Sequence, residues 1–274
     1  MAFLVNRLIY QFPGNNYFPP HTLYVGFSVL LMYLGFYLQF GQDSKITKAF
    51  KELTLLFLVM TILVTATNAA QYTPFPPIDH HLMTWQAWFP LEMQDYLTWR
   101  DAHPLIKTYL EYVYLSLTYQ MTYLPLLIIF LGRTHRMREY YFLLMITGII
   151  GYGFYYFFPT TAPASILENI PFAEEQRATG LKFNQIHQYI QPTTLEGGMI
   201  AFPSFHVIWA WLCVWLVRDW QILSLFLGMI NLMLVAACVL LGWHYWIDVI
   251  GSLIVIGFAH YSYANCQHKN SALL

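Results

Sequence analysis

Seven long apolar runs dominate this chain and decide what it can fold into. Each run approaches or reaches the roughly 17–25 residues that a helix needs to cross a bilayer. Only 10% of the residues are charged and 58% are hydrophobic, whereas soluble domains have about 25% charged residues. The sequence therefore predicts an all-α integral membrane protein with about seven spans. The predicted spans are 22–40, 51–68, 109–131, 140–158, 203–217, 221–241 and 246–263.

The regions between the spans are too short for a separate soluble domain, so we expect a single transmembrane domain over 1–274. Within it, 1–108 would form the N-terminal spans and an outer loop, 109–263 the catalytic core, and 264–274 a cytoplasmic tail. The first 20 residues lack the apolar core and cleavage site of a signal peptide, and we expect them to lie at the membrane interface.

Net charge and cysteine usage exclude other classes of protein. A net charge of −1 argues against binding to nucleic acid. Cys213 and Cys238 lie in apolar runs and Cys266 lies in the polar tail, and their spacing fits no metal site. We therefore expect neither a disulfide nor zinc.

The distribution of basic residues predicts the orientation in the membrane. Alternate short loops carry most of the Lys and Arg, which is typical of the cytoplasmic side. These residues are Lys45, Lys48, Lys51, Arg133, Arg136, Arg138 and Arg218, with Lys269 in the tail. The long loops 69–108 and 159–202 would then face the periplasm, a lumen or the exterior. Both histidine motifs described next fall at that outer face.

Two short stretches place ionisable side chains at the ends of apolar runs, namely Phe202–His206 and Gly242–Asp248. Such groups are costly at the mouth of a membrane helix, so they indicate a functional site. His244 and Asp248 are spaced i, i+4 and share one face of a helix. A carboxylate that accepts from one imidazole nitrogen leaves the lone pair of the other free to attack.

The first stretch supplies the other parts of a phosphoryl-transfer site. Pro203 suits the first turn of a helix, where Ser204 and the free backbone N–H groups, including that of Phe205, would bind phosphate. Ser204 could equally serve only as a helix cap. His206, one turn into the helix, could donate a proton to a leaving oxygen. The residues suggest transfer through a phosphohistidine at His244, with no metal and no cofactor.

These motifs resemble a known family. The stretches 202–206 and 244–251 look like the second and third motifs of the type 2 phosphatidic acid phosphatase superfamily. Residues 201–207, the pair His244-Tyr245 and the segment 155–163 read like its inositol phosphorylceramide synthase branch. The resemblance implies a six-helix core with one added N-terminal span. It also implies His244 as nucleophile, Asp248 as its orienting partner and His206 as general acid.

The chain departs from the phosphatase pattern in its basic residues. The first phosphatase motif, with its lysine and arginine, is missing, and Cys238 stands where the third motif has an arginine. Both departures favour the synthase-like branch. A phosphoryl group in a partly desolvated site still needs a counter-charge. The candidates are Arg177 and Lys182, the only basic residues in the loop 159–202.

The function that these observations favour is a membrane enzyme that acts on a phospholipid or lipid phosphate at the outer face. It would be either a lipid phosphatase or a headgroup phosphotransferase. The alternative from another class is a transporter or proton relay, although such proteins usually place their ionisable groups near the midplane. Asp79, His80 and His81 lack further metal ligands, so we expect a solvated loop there.

Overall fold

The structure is a computed structural model that describes residues 1–167 and 170–272. The described residues form eleven α-helices and no strand, which confirms the predicted all-α class. The helices are α1 (Ala2–Val5), α2 (Thr22–Phe40), α3 (Lys45–Ala70), α4 (Asp79–Gln86), α5 (Met93–Asp101), α6 (Pro104–Phe130), α7 (Thr134–Phe157), α8 (Glu174–His187), α9 (Phe205–Leu216), α10 (Gln221–Leu240) and α11 (Trp246–Ala272).

Six of these helices are long and apolar enough to cross a membrane: α2, α3, α6, α7, α10 and α11. They coincide with six of the predicted spans, and the run 203–217 corresponds to the shorter helix α9, which has 12 residues. Polar residues extend α3, α6 and α11 beyond the apolar runs. The predicted tail 264–274 thus continues α11 as far as residue 272, and its last two residues lie outside the described part.

The short helix α9 lies at the centre of the bundle. It packs against α6, α7, α10 and α11. Buried side chains point in several directions around it, among them Val207, Ile208 and Leu212, as expected of a helix that is apolar on all faces. By contrast, α2 has no buried residue and packs chiefly against α3. The bundle therefore has a central helix that starts at the histidine motif and a peripheral helix near the N-terminus.

One glycine sets the distance between α7 and α9. A Cβ atom at Gly151 would lie 2.6 Å from the ring of Phe205, which is closer than any real contact of this kind. The ring of Phe205 also packs on Tyr152 and Trp209, with ring centroids 5.0 Å and 5.1 Å apart. The absence of a side chain at Gly151 lets the first residue of α9 seat against α7 and holds the start of α9 in place.

Three amphipathic helices fill the two long loops. Helices α4 and α5 come from the loop 69–108, and α8 comes from the loop 159–202. Leu82 of α4 and Leu97 of α5 form a cluster with Phe172 and Tyr245, whereas the apolar side chains of α8 pack into the main core. The cluster packs over the turn that leads into α11, so these loops cover the end of the bundle where both histidine motifs begin.

The N-terminal segment is attached to the same end of the bundle. The backbone N–H of Asn15 donates to Oε1 of Gln71 at 2.7 Å, and its side-chain amide donates to the carbonyl of Thr194 at 3.0 Å. The hydroxyl of Tyr17 donates to Sδ of Met199 at 3.0 Å. The segment thus links the end of α3 to the loop that precedes α9.

Candidate active site

A line of three hydrogen-bonded side chains connects the starts of α9 and α11. Nδ1 of His244 lies 3.1 Å from Oδ2 of Asp248, and Nε2 of His244 lies 3.0 Å from Oγ of Ser204. All three residues are buried. The contact of His244 with Asp248 agrees with their spacing in the sequence, but His244 lies in the turn before α11 and not on the helix as expected. The contact with Ser204 comes from the packing of the two helix starts.

The donors in this line follow from the chemistry of the carboxylate. An ionised Asp248 can only accept, so Nδ1 of His244 carries the proton and donates to it. The same Oδ2 accepts the backbone N–H of Tyr245 at 2.9 Å, which fixes the carboxylate. Nε2 of His244 then has its lone pair free and accepts the hydroxyl proton of Ser204. His244 therefore has the tautomer that a nucleophile at Nε2 requires.

The hydroxyl of Ser204 does not cap its own helix. Ser204 is the N-cap residue of α9, but its side chain makes no capping hydrogen bond because it is directed to His244. Its carbonyl accepts the hydroxyl of Ser252 at 3.0 Å, and Ser252 also donates to the carbonyl of Asp248 at 2.7 Å. Of the two roles that the sequence allows for Ser204, the side-chain cap is not made, and phosphate contact stays a prediction.

His206 faces His244 across the site, with ring centroids 6.0 Å apart. Its ring stacks on Tyr114 of α6 at 4.3 Å, and the hydroxyl of Tyr114 lies 3.4 Å from its Nδ1. Tyr114 in turn stacks on Trp243 at 5.7 Å. The stack fixes the plane of the His206 ring, so a group between the two histidines would meet both.

A cavity of 210 Å³ lies beside the two histidines. Its walls are mostly aromatic rings and hydroxyl groups, and residues 197–201 also line it. The side chains come from Tyr17, Thr67, Tyr114, Tyr152, Thr179, Phe183, Phe205, His206, Trp209, Trp243 and His244. Among the described residues that line it there is no lysine and no arginine. The cavity can therefore offer a phosphate hydrogen bonds and histidine side chains, but no permanent cation.

Arg177 and Lys182, which the sequence suggested as the phosphate counter-charge, have other partners. Arg177 donates to the carbonyls of Ile170 and Phe172, both at 3.3 Å. Lys182 donates to three successive carbonyls of residues 196–198 at 2.5 to 3.0 Å. Neither side chain lines the cavity. Arg177 thus bonds to the segment before α8 and Lys182 to the loop after it.

Lys182 nevertheless lies just behind the wall of the cavity. The carbonyls of Gly197 and Gly198 that it holds belong to lining residues, and its ammonium lies 5.6 Å from the ring centroid of Tyr17, another lining residue. Burial lowers the pKa of Lys182 from 10.5 to about 8. Lys182 thus shapes the wall of the cavity rather than contacting what the cavity holds.

The outer loop around residue 79 differs from the sequence expectation. Asp79 is only 2% exposed, and both of its carboxylate oxygens lie 2.9 Å from the backbone nitrogen of Thr161, which donates to them. The expectation of a solvated loop is wrong for Asp79 because it joins α4 to the Phe-Pro segment at the end of α7. His80 and His81 are exposed as expected.

Tyr114, Tyr152, Thr67 and Trp243 are site residues that sequence reasoning missed. The hydroxyls of Thr67 and Tyr152 lie 2.7 Å apart at the cavity wall. The chain has 21 tyrosines, and no local pattern sets these apart from tyrosines that face lipid. Only the packing of α3, α6 and α7 around α9 brings them to the histidines.

Comparison with known proteins adds one finding. A family model described as the PAP2 superfamily matches residues 80–262, about two thirds of the chain. The match includes Ser204, His206, His244 and Asp248. No curated protein and no solved structure was found to match the chain.

Proposed function

The chain belongs to the PAP2 superfamily, whose members are generally phosphatases. We propose that it uses the same chemistry to transfer a phosphate-linked headgroup from a phospholipid to an alcohol acceptor. Nε2 of His244 attacks phosphorus and the bond from phosphorus to the leaving oxygen breaks. The protonated ring of His206 gives its proton to that alkoxide. The acceptor alcohol then returns a proton to His206, attacks phosphorus and releases His244.

The observation that carries this proposal is the hydrogen-bonded line from Asp248 through His244 to Ser204. It holds the imidazole in one tautomer, directs Nε2 toward a hydroxyl and leaves His206 facing the same space. A nucleophile with an orienting partner and an acid across the site meets the geometric requirements of phosphoryl transfer. The hydroxyl of Ser204 can move from Nε2 to a phosphoryl oxygen when a substrate enters.

The described residues of the cavity wall include no lysine or arginine, which favours a phosphodiester substrate. A phosphate monoester carries a charge of about −1.5 to −2 near neutral pH, whereas the phosphodiester of a phospholipid carries a single charge. One negative charge can be balanced by hydrogen bonds from Ser204 and nearby hydroxyls, and by His206, which is buried and would take up its proton together with the anionic group. This charge argument supports a phospholipid donor over phosphatidic acid.

A second cavity supports transfer over hydrolysis. It has a volume of 310 Å³ and shares Tyr114 and Trp243 with the first. Its wall also contains the half-buried carboxylate of Glu111 and the ammonium of Lys107. A polar acceptor held there would be separated from His206 by the rings of Tyr114 and Trp243 that both cavities share. Residues 201–207 and 155–163, which read like the inositol phosphorylceramide synthase branch, point to the same reaction.

The reaction can be tested with the purified full-length chain in detergent. We expect a phospholipid and an alcohol acceptor to give a new headgroup lipid, and a phosphorus-labelled donor to leave an alkali-stable, acid-labile label on the protein. His244→Ala should lose both signals because the nucleophile is gone. His81→Gln, which changes an exposed histidine at the same end of the bundle, is the matched control and should keep both.

Two results would count against this assignment. Intact lipid turnover in His244→Ala would remove His244 from the reaction altogether. Free phosphate released from phosphatidic acid, with no product from the phospholipid and acceptor, would make the protein a lipid phosphatase that uses the same residues.

A further inference from the structure

The segment 202–204, which leads into α9, is seated on α11. The backbone N–H of Phe202 donates to Oγ1 of Thr160 at 3.0 Å. The ring of Phe202 lies against Gly251 of α11, where a Cβ atom would come within 2.5 Å of the ring. A side chain at position 251 would therefore push the segment, and Ser204 with it, away from α11.

Ser252, the residue after Gly251, adds a hydrogen bond to the same segment. It is fully buried, and its hydroxyl donates to the carbonyl of Asp248 at 2.7 Å and to the carbonyl of Ser204 at 3.0 Å. A hydroxyl has one proton, so Ser252 shares that proton between an acceptor on its own helix and an acceptor at the start of α9. Ser252 therefore joins the two ends of the line that runs from Asp248 through His244 to Ser204.

Only one of these two bonds is explained by the helix itself. Serine hydroxyls in helices often donate to the carbonyl four residues earlier, and Ser262 of α11 donates to Phe258 in this way at 2.8 Å. The carbonyl of Ser204 already accepts the backbone N–H of Ile208 at 3.2 Å, so it does not need Ser252 in order to be paired. The bond between the two helices therefore fixes a position rather than satisfying a buried group.

The position that this bond fixes is that of the hydroxyl beside the nucleophile. Oγ of Ser204 lies 3.0 Å from Nε2 of His244, within the narrow range of distances of a good hydrogen bond. Displacement of a reacting group by about 1 Å can lower a rate by about 100-fold. Ser252 is not one of the described residues that line the cavity beside the histidines, so any effect that it has on the reaction is exerted through Ser204.

We propose that Ser252 is a positioning residue that sets the distance from Oγ of Ser204 to Nε2 of His244. Without its hydroxyl, the start of α9 can move relative to α11. The hydroxyl of Ser204 is then misplaced for both the nucleophile and a phosphoryl oxygen, so the rate falls while substrate binding is kept. The effect on the rate rests on the proposed headgroup transfer, whereas the effect on the geometry at His244 does not.

The first test is headgroup transfer by the full-length chain in detergent. Ser252→Ala should lower kcat by about 10- to 100-fold and leave KM near the wild-type value, whereas Ser252→Thr keeps a hydroxyl and should retain most of the rate. Ser262→Ala removes a serine hydroxyl from the same helix and is the matched control that should behave as the wild type. In a double-mutant cycle, adding Ser252→Ala to Ser204→Ala should change kcat little, because the hydroxyl that Ser252 positions is already gone.

The second test needs no turnover. Diethyl pyrocarbonate acylates an imidazole nitrogen whose lone pair is free, and mass spectrometry gives the ratio of labelled His244 to labelled His206 in each variant. We expect this ratio to rise by about fivefold in Ser252→Ala, the factor that corresponds to the loss of one hydrogen bond at Nε2. The ratio should stay unchanged in Ser262→Ala.

The two tests separate the role of Ser252 from the proposed reaction. An unchanged labelling ratio in Ser252→Ala would overturn the proposal even if the unfolding temperature falls, because Ser252 would then contribute only to packing. Additive losses of kcat in the double-mutant cycle would also overturn it. A higher ratio in Ser252→Ala, with no headgroup transfer by the wild type, would overturn the proposed reaction and support the positioning role.

Discussion

At the scale of single residues, Ser204 controls the nitrogen on which the proposed chemistry depends. Its hydroxyl occupies the lone pair of Nε2 of His244 at 3.0 Å, so attack on phosphorus requires this hydrogen bond to open. The freed hydroxyl then has a phosphoryl oxygen within reach. In the proposed mechanism, Ser204 would both protect the nucleophile before a substrate enters and stabilise charge during the reaction.

The first prediction concerns the variant Ser204→Ala. We expect turnover to fall by about 10²-fold, the usual effect of removing one donor to a developing oxyanion, while the acid-labile label on His244 still forms. The label and the rate are measured on the same preparation. Complete loss of the label, together with an alkali-labile phosphoserine in the wild type, would instead make Ser204 the nucleophile and His244 its base.

A second prediction concerns pH and rests on Asp79. Burial raises the pKa of Asp79 from 3.8 to about 7, and the charge of Asp248 adds to this effect. Between pH 4 and 7 the folded protein therefore retains a proton that the unfolded chain has lost. The free energy of unfolding should fall as the pH rises through this window. Asp79→Asn keeps an acceptor for Thr161 and does not titrate, so its stability should depend less on pH.

The measurement is thermal unfolding in detergent at pH 5 to 8. Asp95→Asn changes an exposed carboxylate of α5 and is the control that should behave as the wild type. A slope in Asp79→Asn equal to that of the wild type would show that Asp79 does not carry the pH dependence.

The residues of the site could be predicted only in part. His244 and Asp248 are only four residues apart, so the sequence predicts their contact, although His244 lies in the turn before α11 and not on the helix. The contact from Ser204 to His244 depends on how two helix starts meet, and the stack of Tyr114 on His206 depends on α6. Sequence spacing carries no information about contacts between residues 92 positions apart.

At the scale of elements, helix α8 and the loop after it form one unit through Lys182. The ammonium holds the carbonyls of Glu196, Gly197 and Gly198, and the last two belong to the cavity wall. A loop with two adjacent glycines would otherwise have many conformations. The hydrogen bonds from Lys182 stabilise the loop conformation that forms the cavity wall.

The third prediction is that Lys182→Met destabilises the protein by about 2 kcal/mol or more, because three carbonyls lose a charged donor in a buried place. Headgroup transfer should fall as well, since the wall loosens. Arg177→Met removes a basic residue from the same helix and should cost less, because Arg177 is exposed and lies farther from the wall. Equal unfolding temperatures for the two variants would contradict this role.

The helices that the sequence predicts are those that hydrophobicity alone determines. All seven apolar runs are helices because a membrane leaves the backbone few alternatives. Helices α4, α5 and α8 were not predicted, since they are short and polar and are held by their packing over the site. The central position of α9 was likewise not predicted, because its apolar run, 203–217, was the shortest of the seven.

At the scale of the whole molecule, the predicted orientation of the bundle in the membrane is testable with a native residue. Cys213 and Cys238 are buried, whereas Cys266 near the end of α11 is exposed. The distribution of Lys and Arg puts Cys266 on the cytoplasmic side, and it puts Gln188 at the end of α8 on the outer side.

The last prediction follows from this arrangement. In sealed right-side-out vesicles, a membrane-impermeant maleimide should label Gln188→Cys and leave Cys266 unlabelled. Inverted vesicles should give the reverse pattern. Labelling of both positions from one side would contradict the orientation, and labelling of Cys266 from the outside would invert it.

The short length of α9 also determines how deep in the bilayer the reaction takes place. Helix α9 has 12 residues, half as many as α7, and both meet the same surface through the ion pairs of Arg136 and Arg218. Its rise of about 18 Å leaves the first residue of α9, next to His206, about 12 Å short of the far edge of a hydrocarbon layer about 30 Å thick. A substrate phosphate must therefore leave the headgroup plane to react. The acyl-chain length of the surrounding lipids would set that distance, so membrane thickness itself would regulate access to the site.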